Sequence, residues 1–318
     1  LVAAAVPLGF SVLVFLVATV HALIGLPTSS PTVLGLKLSL PGLLGVLVTG
    51  LVLALSLAWG WAIPLADLVN LHAAWGLGAW AGVLLVAVAF VVVPMFQLTP
   101  GYPARPAWAL PLLMLLALLS WSVAFWQEWP LLARSALALL AGCGLAFAVI
   151  TLRLQAKRRR ARVDATARYW QGGLALAIFG LFFVLTAAIR PDALAYDRVP
   201  LLVGVLLLVG AFMSFINGML YKILPFLAWL HLQNSNPPGL AVPNMNKLLS
   251  DGAMQRQMQA HGLAVLFLCG AVFFPEVLAR PAGLVLVLAS GCLWWNLFGV
   301  VRRYRVHQKL VAMKAPAP

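Results

Sequence analysis

Histidine is the side chain best suited to hold a heme iron or a metal near neutral pH, and one of the five in this chain stands apart. His72 opens the run "NLHAAWGLGAW" (70–80), at the mouth of a strongly apolar segment. Asn70 is of a type that caps helices. Asp67 is placed to hold the second ring nitrogen, as carboxylates do around metal-bound histidines. At helical spacing the face below His72 runs Gly76, Ala79, Val83, with Gly78 and Gly82 close by. A face this small admits either a flat ligand or a neighbouring helix. Two readings therefore stand: His72 is a ligand, or it is a polar residue at a helix end whose small face packs against another helix.

Three further histidines are candidates for cofactor binding. His21, His231 and His261 fall near the inner ends of apolar segments. His231 and His261 come from different segments, and at one depth they could ligate a second cofactor. No H-x-H or H-x-x-x-H spacing marks them, so a plain interfacial role stands beside that reading. His307, in the basic tail "RRYRVHQK", reads as solvated. Asn217, Tyr221 and Lys222 form a candidate of another kind, a polar site beside a kink expected at Pro225. The competing reading has Lys222 simply snorkelling to lipid head groups. Trp75, Trp80, Trp121, Trp294 and Trp295 read as deep, fit to pack a porphyrin or a core. Trp59, Trp61, Trp126, Trp129 and Trp170 read as an interfacial belt. Cys143, Cys269 and Cys292 lie in apolar runs without a C-x-x-C and behave as small hydrophobes. No phosphate-binding glycine loop, nucleophile elbow or H-E-x-x-H motif occurs.

The elements that must position these residues follow from composition. Of 318 residues, 64% are hydrophobic and 9% charged, with a mean hydropathy of +1.02. A soluble domain carries about 25% charged residues, so this chain cannot cover a globular surface. Apolar runs of the roughly 20 residues that cross a bilayer recur at 2–26, 42–65, 71–96, 108–127, 131–154, 169–189, 200–222, 261–278 and 282–301. They are continuous rather than alternating, which excludes a β-barrel. The expected fold is an all-α polytopic integral membrane bundle of about nine helices. Residues 1–318 read as a single transmembrane domain, with a cytoplasmic loop at 233–258. Leu1 already lies in an apolar run without a preceding methionine, so the chain is expected to be the C-terminal part of a longer protein.

The net charge of +14 follows topology. "KRRRAR" (157–162) and "RRYR" (302–305) should lie on the cytoplasmic side of a bacterial-type inner membrane, with the C-terminus. Arg134, Arg190, Arg198 and Arg280 then lie outside. This distribution argues against a nucleic-acid partner and for the lipid bilayer, with other membrane subunits or a second copy as candidate partners. No carboxylate is expected in mid-span, which argues against a proton-coupled carrier. From Pro200 to Leu232 the apolar stretch is too long for one simple crossing, so a crossing helix to about Tyr221 and then a bent piece at the inner surface are expected.

"LHAAWGLGAWAGVLLVAVAFVVVPMFQLTPGYP" (71–103) resembles a segment of membrane proteins distantly similar to heme-copper oxidase subunit I, and of NnrS-like heme proteins linked to nitric oxide. The shared features are His72, Gly76, Gly82, Val93 and Pro94. "INGMLYKILPFLAWLHLQ" (216–233), "VPNMNK" (242–247) and "AHGLAV" (260–265) resemble other segments of that group. The resemblance implies heme binding, with His72 as the leading ligand, and electron transfer or a nitric-oxide-related role. The adjacent histidines and H-x-H of oxygen-reducing members are absent from this chain, so a complete copper site is not implied. An accessory or assembly subunit and a permease are the competing functions.

Overall fold

The computed structural model describes residues 2–159, 164–190, 198–235 and 242–314. Residues 160–162 of the basic run, Asp192, Asp197 and residues 236–239 of "NSNPPG" lie outside them. The described residues are helical, without a strand. Among the described residues, eight helical stretches are long and apolar enough to cross a membrane: Ala3–Ile24, Pro31–Trp59, Leu65–Gln97, Ala104–Gln127, Pro130–Ala156, Ala165–Ile189, Val199–Ser235 and Pro275–Val311. The protein is an all-α, multi-pass membrane protein. The chain divides into two compact units: 1–160 with 181–195, and 161–180 with 196–318.

The first unit contains α1 (Val2–Ile24), α2 (Pro31–Trp59), α3 (Leu65–Ala74), a π-helical segment (Trp75–Trp80), α4 (Ala81–Gln97), α5 (Ala104–Gln127) and α6 (Pro130–Ala156). Helix α2 begins eleven residues before the expected span. Ser30 caps it, accepting from the Val33 amide at 3.3 Å, and Pro41 is carried inside the helix. Lys37 Nζ reaches back to the Leu26 carbonyl (2.5 Å) and the Thr28 hydroxyl (3.2 Å), so its charge is satisfied at the bundle end.

Glycines on α2 let the third span approach closely. A methyl group on Gly35 would meet Ala87 Cβ at 2.5 Å, and one on Gly42 would meet the Ala79 carbonyl oxygen at 2.4 Å. On Gly45 it would meet the Trp75 ring at 2.3 Å, and on Gly50 the His72 ring at 3.0 Å. Leu71, Trp75, Ala79, Leu115, Ala117 and Leu118 form the core beside this seam.

The second unit contains the N-terminal part of α7 (Ala165–Ile189), then α8 (Val199–Gly204), a second π-helical segment (Val205–Phe212), α9 (Met213–Ser235), α10 (Met245–Leu248), α11 (Asp251–Phe273) and α12 (Pro275–Lys314). Helix α9 does not end at Tyr221. It continues through a buried Pro225 to Ser235, so the piece expected beyond Tyr221 belongs to the same helix. The loop expected at 233–258 gives way to helix at Asp251, ten residues before the expected span at 261. Ser250 caps α11 by accepting from the Ala253 amide at 3.4 Å. The helix stops at Phe274, before Pro275.

Helix α11 falls outside the eight apolar stretches because its first half carries Asp251, Gln255, Arg256, Gln257 and His261. It nevertheless runs antiparallel beside α12. Gly270 faces Leu278, Gln257 bonds the Ala289 carbonyl, and Asn296 bonds the Ala253 carbonyl. Helix α12, with 40 residues, is about 60 Å long, twice the hydrocarbon thickness.

Candidate functional sites

In the first unit, His72 lies inside α3 rather than at its start. The helix begins at Leu65 after Pro64, and Asn70 and Asp67 are exposed, so Asn70 does not cap it. The half-buried ring is held from α2 instead. Thr49 Oγ1 lies 2.9 Å from Nδ1. Thr49 donates its own proton to the Gly45 carbonyl at 2.7 Å; it therefore accepts from an Nδ1–H. This pairing replaces the Asp67 contact expected from the sequence. The π-helical segment begins three residues later, and such segments recur at functional sites. It seats Trp75 against Gly45, with the indole N–H donating to Ser122 Oγ at 2.9 Å. The small face below His72 packs on α2: Ala79 meets Gly42 and Gly76 lies beside Val46.

His21 does not join His72. Gly9 of α1 packs near Leu51 of α2, at the level of Thr49. His21 lies twelve residues farther along α1, about 18 Å at 1.5 Å per residue, and is exposed.

The same unit holds a polar layer that sequence inspection missed. Gln155 Nε2 donates to Gln97 Oε1 at 2.8 Å, with both residues buried. Gln97 Nε2 and Gln155 Oε1 have no partner among the described residues. The Tyr102 and Thr151 hydroxyls are 2.9 Å apart, and the Tyr102 ring stacks on Phe147. Burial raises the Tyr102 phenol above its ordinary value, against the smaller opposing effect of its bond to Thr151.

The second unit gathers a larger cluster around Gln257. Tyr169 and Tyr221 both donate to Gln257 Oε1, the latter at 3.1 Å. Gln257 Nε2 donates to the Ala289 carbonyl at 3.2 Å. Asn296 Nδ2 donates to the Tyr221 hydroxyl at 3.0 Å, and the Asn217 side chain lies beside Tyr169. One turn along α11, His261 Nε2 is 3.1 Å from Ser214 Oγ. Tyr169, Tyr221, Gln257, Asn217, Ser214 and His261 are all buried. At the edge, Lys222 Nζ pairs with Asp164 Oδ2 at 2.6 Å, while Asp164 Oδ1 accepts from the Ala167 amide at 2.9 Å, capping α7.

Of the expected polar residues, Asn217 and Tyr221 thus lie in one network, with Lys222 paired beside it. Ser214, Asn217 and Tyr221 follow i, i+3, i+7 spacing, and Gln257 and His261 follow i, i+4. That periodicity was the available signal for the partners that were missed.

His231 and His261 are not a pair. His261 bonds Ser214 of α9, and His231 lies seventeen residues farther along the same helix, about 25 Å. His231 is exposed and faces the Tyr304 ring at 5.7 Å. His307 is buried rather than solvated. Trp294 and Trp295, expected deep, are 60% and 81% exposed, whereas Trp170, expected in the interfacial belt, is buried against Phe215. Among the described residues, no group of three or more His, Cys, Asp and Glu side chains gathers as a metal site. Compared with protein families, curated proteins and solved structures, the chain matches none.

Proposed function

We propose that this chain is a heme-binding, oxidase-like membrane protein in which His72 ligates the iron. The observation that carries this reading is the anchoring of the His72 ring by Thr49 within an apolar span. A ligating histidine needs one nitrogen fixed by a hydrogen bond so that the other is oriented for the metal. The adjacent π-helical segment and the resemblance of residues 71–103 add support. Heme would supply one-electron chemistry. The side chains of α2 and α3 orient the imidazole, and a complete copper centre forms no part of the reading.

The test is a pyridine-hemochrome assay and visible spectrum on the purified chain and on His72→Ala. Heme content is expected to fall to near zero in the variant while folded yield persists. Thr49→Val, which removes the orienting bond, is expected to weaken heme affinity about 10–100-fold. No heme in the parent protein, or an unchanged spectrum in His72→Ala, would overturn the reading.

A permease is the second reading, favoured by the buried Tyr169–Gln257–Tyr221–Asn296 network and the Asp164–Lys222 pair, because polar groups inside a membrane bundle mark solute paths. Substrate-dependent uptake into liposomes that Tyr221→Phe abolishes would favour it over heme binding.

For topology, the proposed arrangement is a bacterial-type inner membrane protein with nine crossings and a cytoplasmic C-terminus. Helix α11 crosses as the antiparallel partner of α12 with its polar face turned to neighbours, and Arg302, Arg303 and Arg305 stay inside. A reporter fused after Pro318 is expected to be active only when it is of the cytoplasmic type. Activity of a periplasm-specific reporter there would reverse the orientation.

A further inference from the structure

We infer that the groove between α10 and the end of α12 is a binding site for an anionic phospholipid. The groove, of about 980 Å³, is lined by Lys247 from α10 and by Arg302, Arg303, Arg305 and Lys309 from α12. Five cationic residues line it, and among the described residues no carboxylate does. Arg303 donates to the Leu248 carbonyl at 2.6 Å, tying α10 to α12 and fixing the floor of the groove.

The occupant follows from what continues the groove in each direction. Toward the apolar part of α12 the wall is Trp295 and Phe298, which are 81% and 63% exposed. Trp295, Phe298, Arg302, Val306 and Lys309 recur at three- and four-residue spacing, so they share one helix face. An aromatic surface running directly into a cluster of arginines matches a molecule with acyl chains and a phosphate head. A soluble phosphate would have no use for the aromatic wall. A neutral lipid would leave the cations uncompensated. Basic pockets at the ends of membrane helices bind anionic head groups, each basic residue contributing about fivefold in affinity near a charged surface. The exposure of Trp295, at odds with a core role, is explained by acyl chains lying against it. This site is independent of the His72 reading and of which side of the membrane the C-terminus occupies.

The test uses the whole purified chain in mild detergent, with native mass spectrometry titrating phosphatidylglycerol, phosphatidylcholine of the same chains, and inorganic phosphate. Phosphatidylglycerol is expected to bind at least tenfold more tightly than the other two. The triple variant Arg302→Gln/Arg305→Gln/Lys309→Gln should lower its affinity roughly 100-fold, at about fivefold per residue. A control with the same charge change elsewhere, Arg105→Gln/Arg134→Gln/Arg153→Gln, should leave phosphatidylglycerol affinity at the parent's value. Trp295→Ala should weaken phosphatidylglycerol binding and leave phosphate binding unchanged. If the triple variant does not yield monodisperse protein, Lys309→Gln alone should give the single-residue loss of about fivefold. Equal affinity for the two lipids, binding of inorganic phosphate as tight as that of phosphatidylglycerol, or a loss in the variants no greater than in the control would overturn the site.

Discussion

Gly42→Ala is expected to destabilise the first unit by about 3 kcal/mol, the upper end of overpacking costs. The added methyl would stand 2.4 Å from the Ala79 carbonyl oxygen and 2.7 Å from the Trp80 amide nitrogen. Both are backbone atoms of the π-helical segment, so no side chain can rotate out of the way. Either α2 moves off, opening the seam at Gly35, Gly45 and Gly50, or the π-helical segment rearranges. Gly142→Ala serves as control. Nothing lies within 4 Å of the added methyl there, and alanine's better helix propensity should leave stability unchanged or raise it by up to about 1 kcal/mol. Thermal unfolding in detergent, followed by loss of the monodisperse peak on size exclusion, distinguishes the two. Equal midpoints for the two variants would show that the seam is not close-packed. Because Gly50 touches the His72 ring, Gly42→Ala should also lower any heme content of the preparation.

The second large effect is expected in the other unit. Gln257→Leu removes the one acceptor shared by the Tyr169 and Tyr221 hydroxyls, and the donor to the Ala289 carbonyl. Hydrogen bonds inside membrane proteins average about 0.6 kcal/mol and reach about 1.7. Leaving the two buried hydroxyls without their acceptor should therefore cost about 2–4 kcal/mol, since each orphaned group adds its own penalty. A double-mutant cycle gives the sharper test. Tyr169→Phe removes one of the stranded hydroxyls, so Tyr169→Phe/Gln257→Leu should be less destabilised than the sum of the single variants by about 1 kcal/mol, as for groups in direct contact. Strict additivity would mean that the two side chains are not coupled.

These predictions rest on tertiary contacts, and the sequence had access to only part of them. It determined the class of molecule. With 9% charged residues and repeated apolar runs, the chain has no option but to bury its backbone polar groups in helices within a bilayer. It also determined which helix His72 belongs to, and that Asn217, Tyr221 and Lys222 lie together on α9, because a period near four along one helix is a local property.

Only the tertiary structure decided the rest. Hydropathy averages over a window, so it saw the lysine and proline at the start of α2 as a boundary and the polar first half of α11 as a loop. A polar side chain that finds a partner across the bundle no longer counts against burial: Lys37 reaches loop oxygens, and Gln257 reaches two tyrosines. The small face under His72 could accept a flat ligand or a helix on sequence grounds alone. The choice went to α2, because Gly35, Gly42, Gly45 and Gly50 remove the atoms that would have kept its backbone away. His231 and His261 share a predicted depth but not a neighbourhood, since His261 of α11 bonds Ser214 and His231 lies about 25 Å farther along α9. Which residues share a helix face follows from spacing along one chain segment. Which faces meet depends on the shapes of two segments at once, and that information is spread over residues far apart in the sequence.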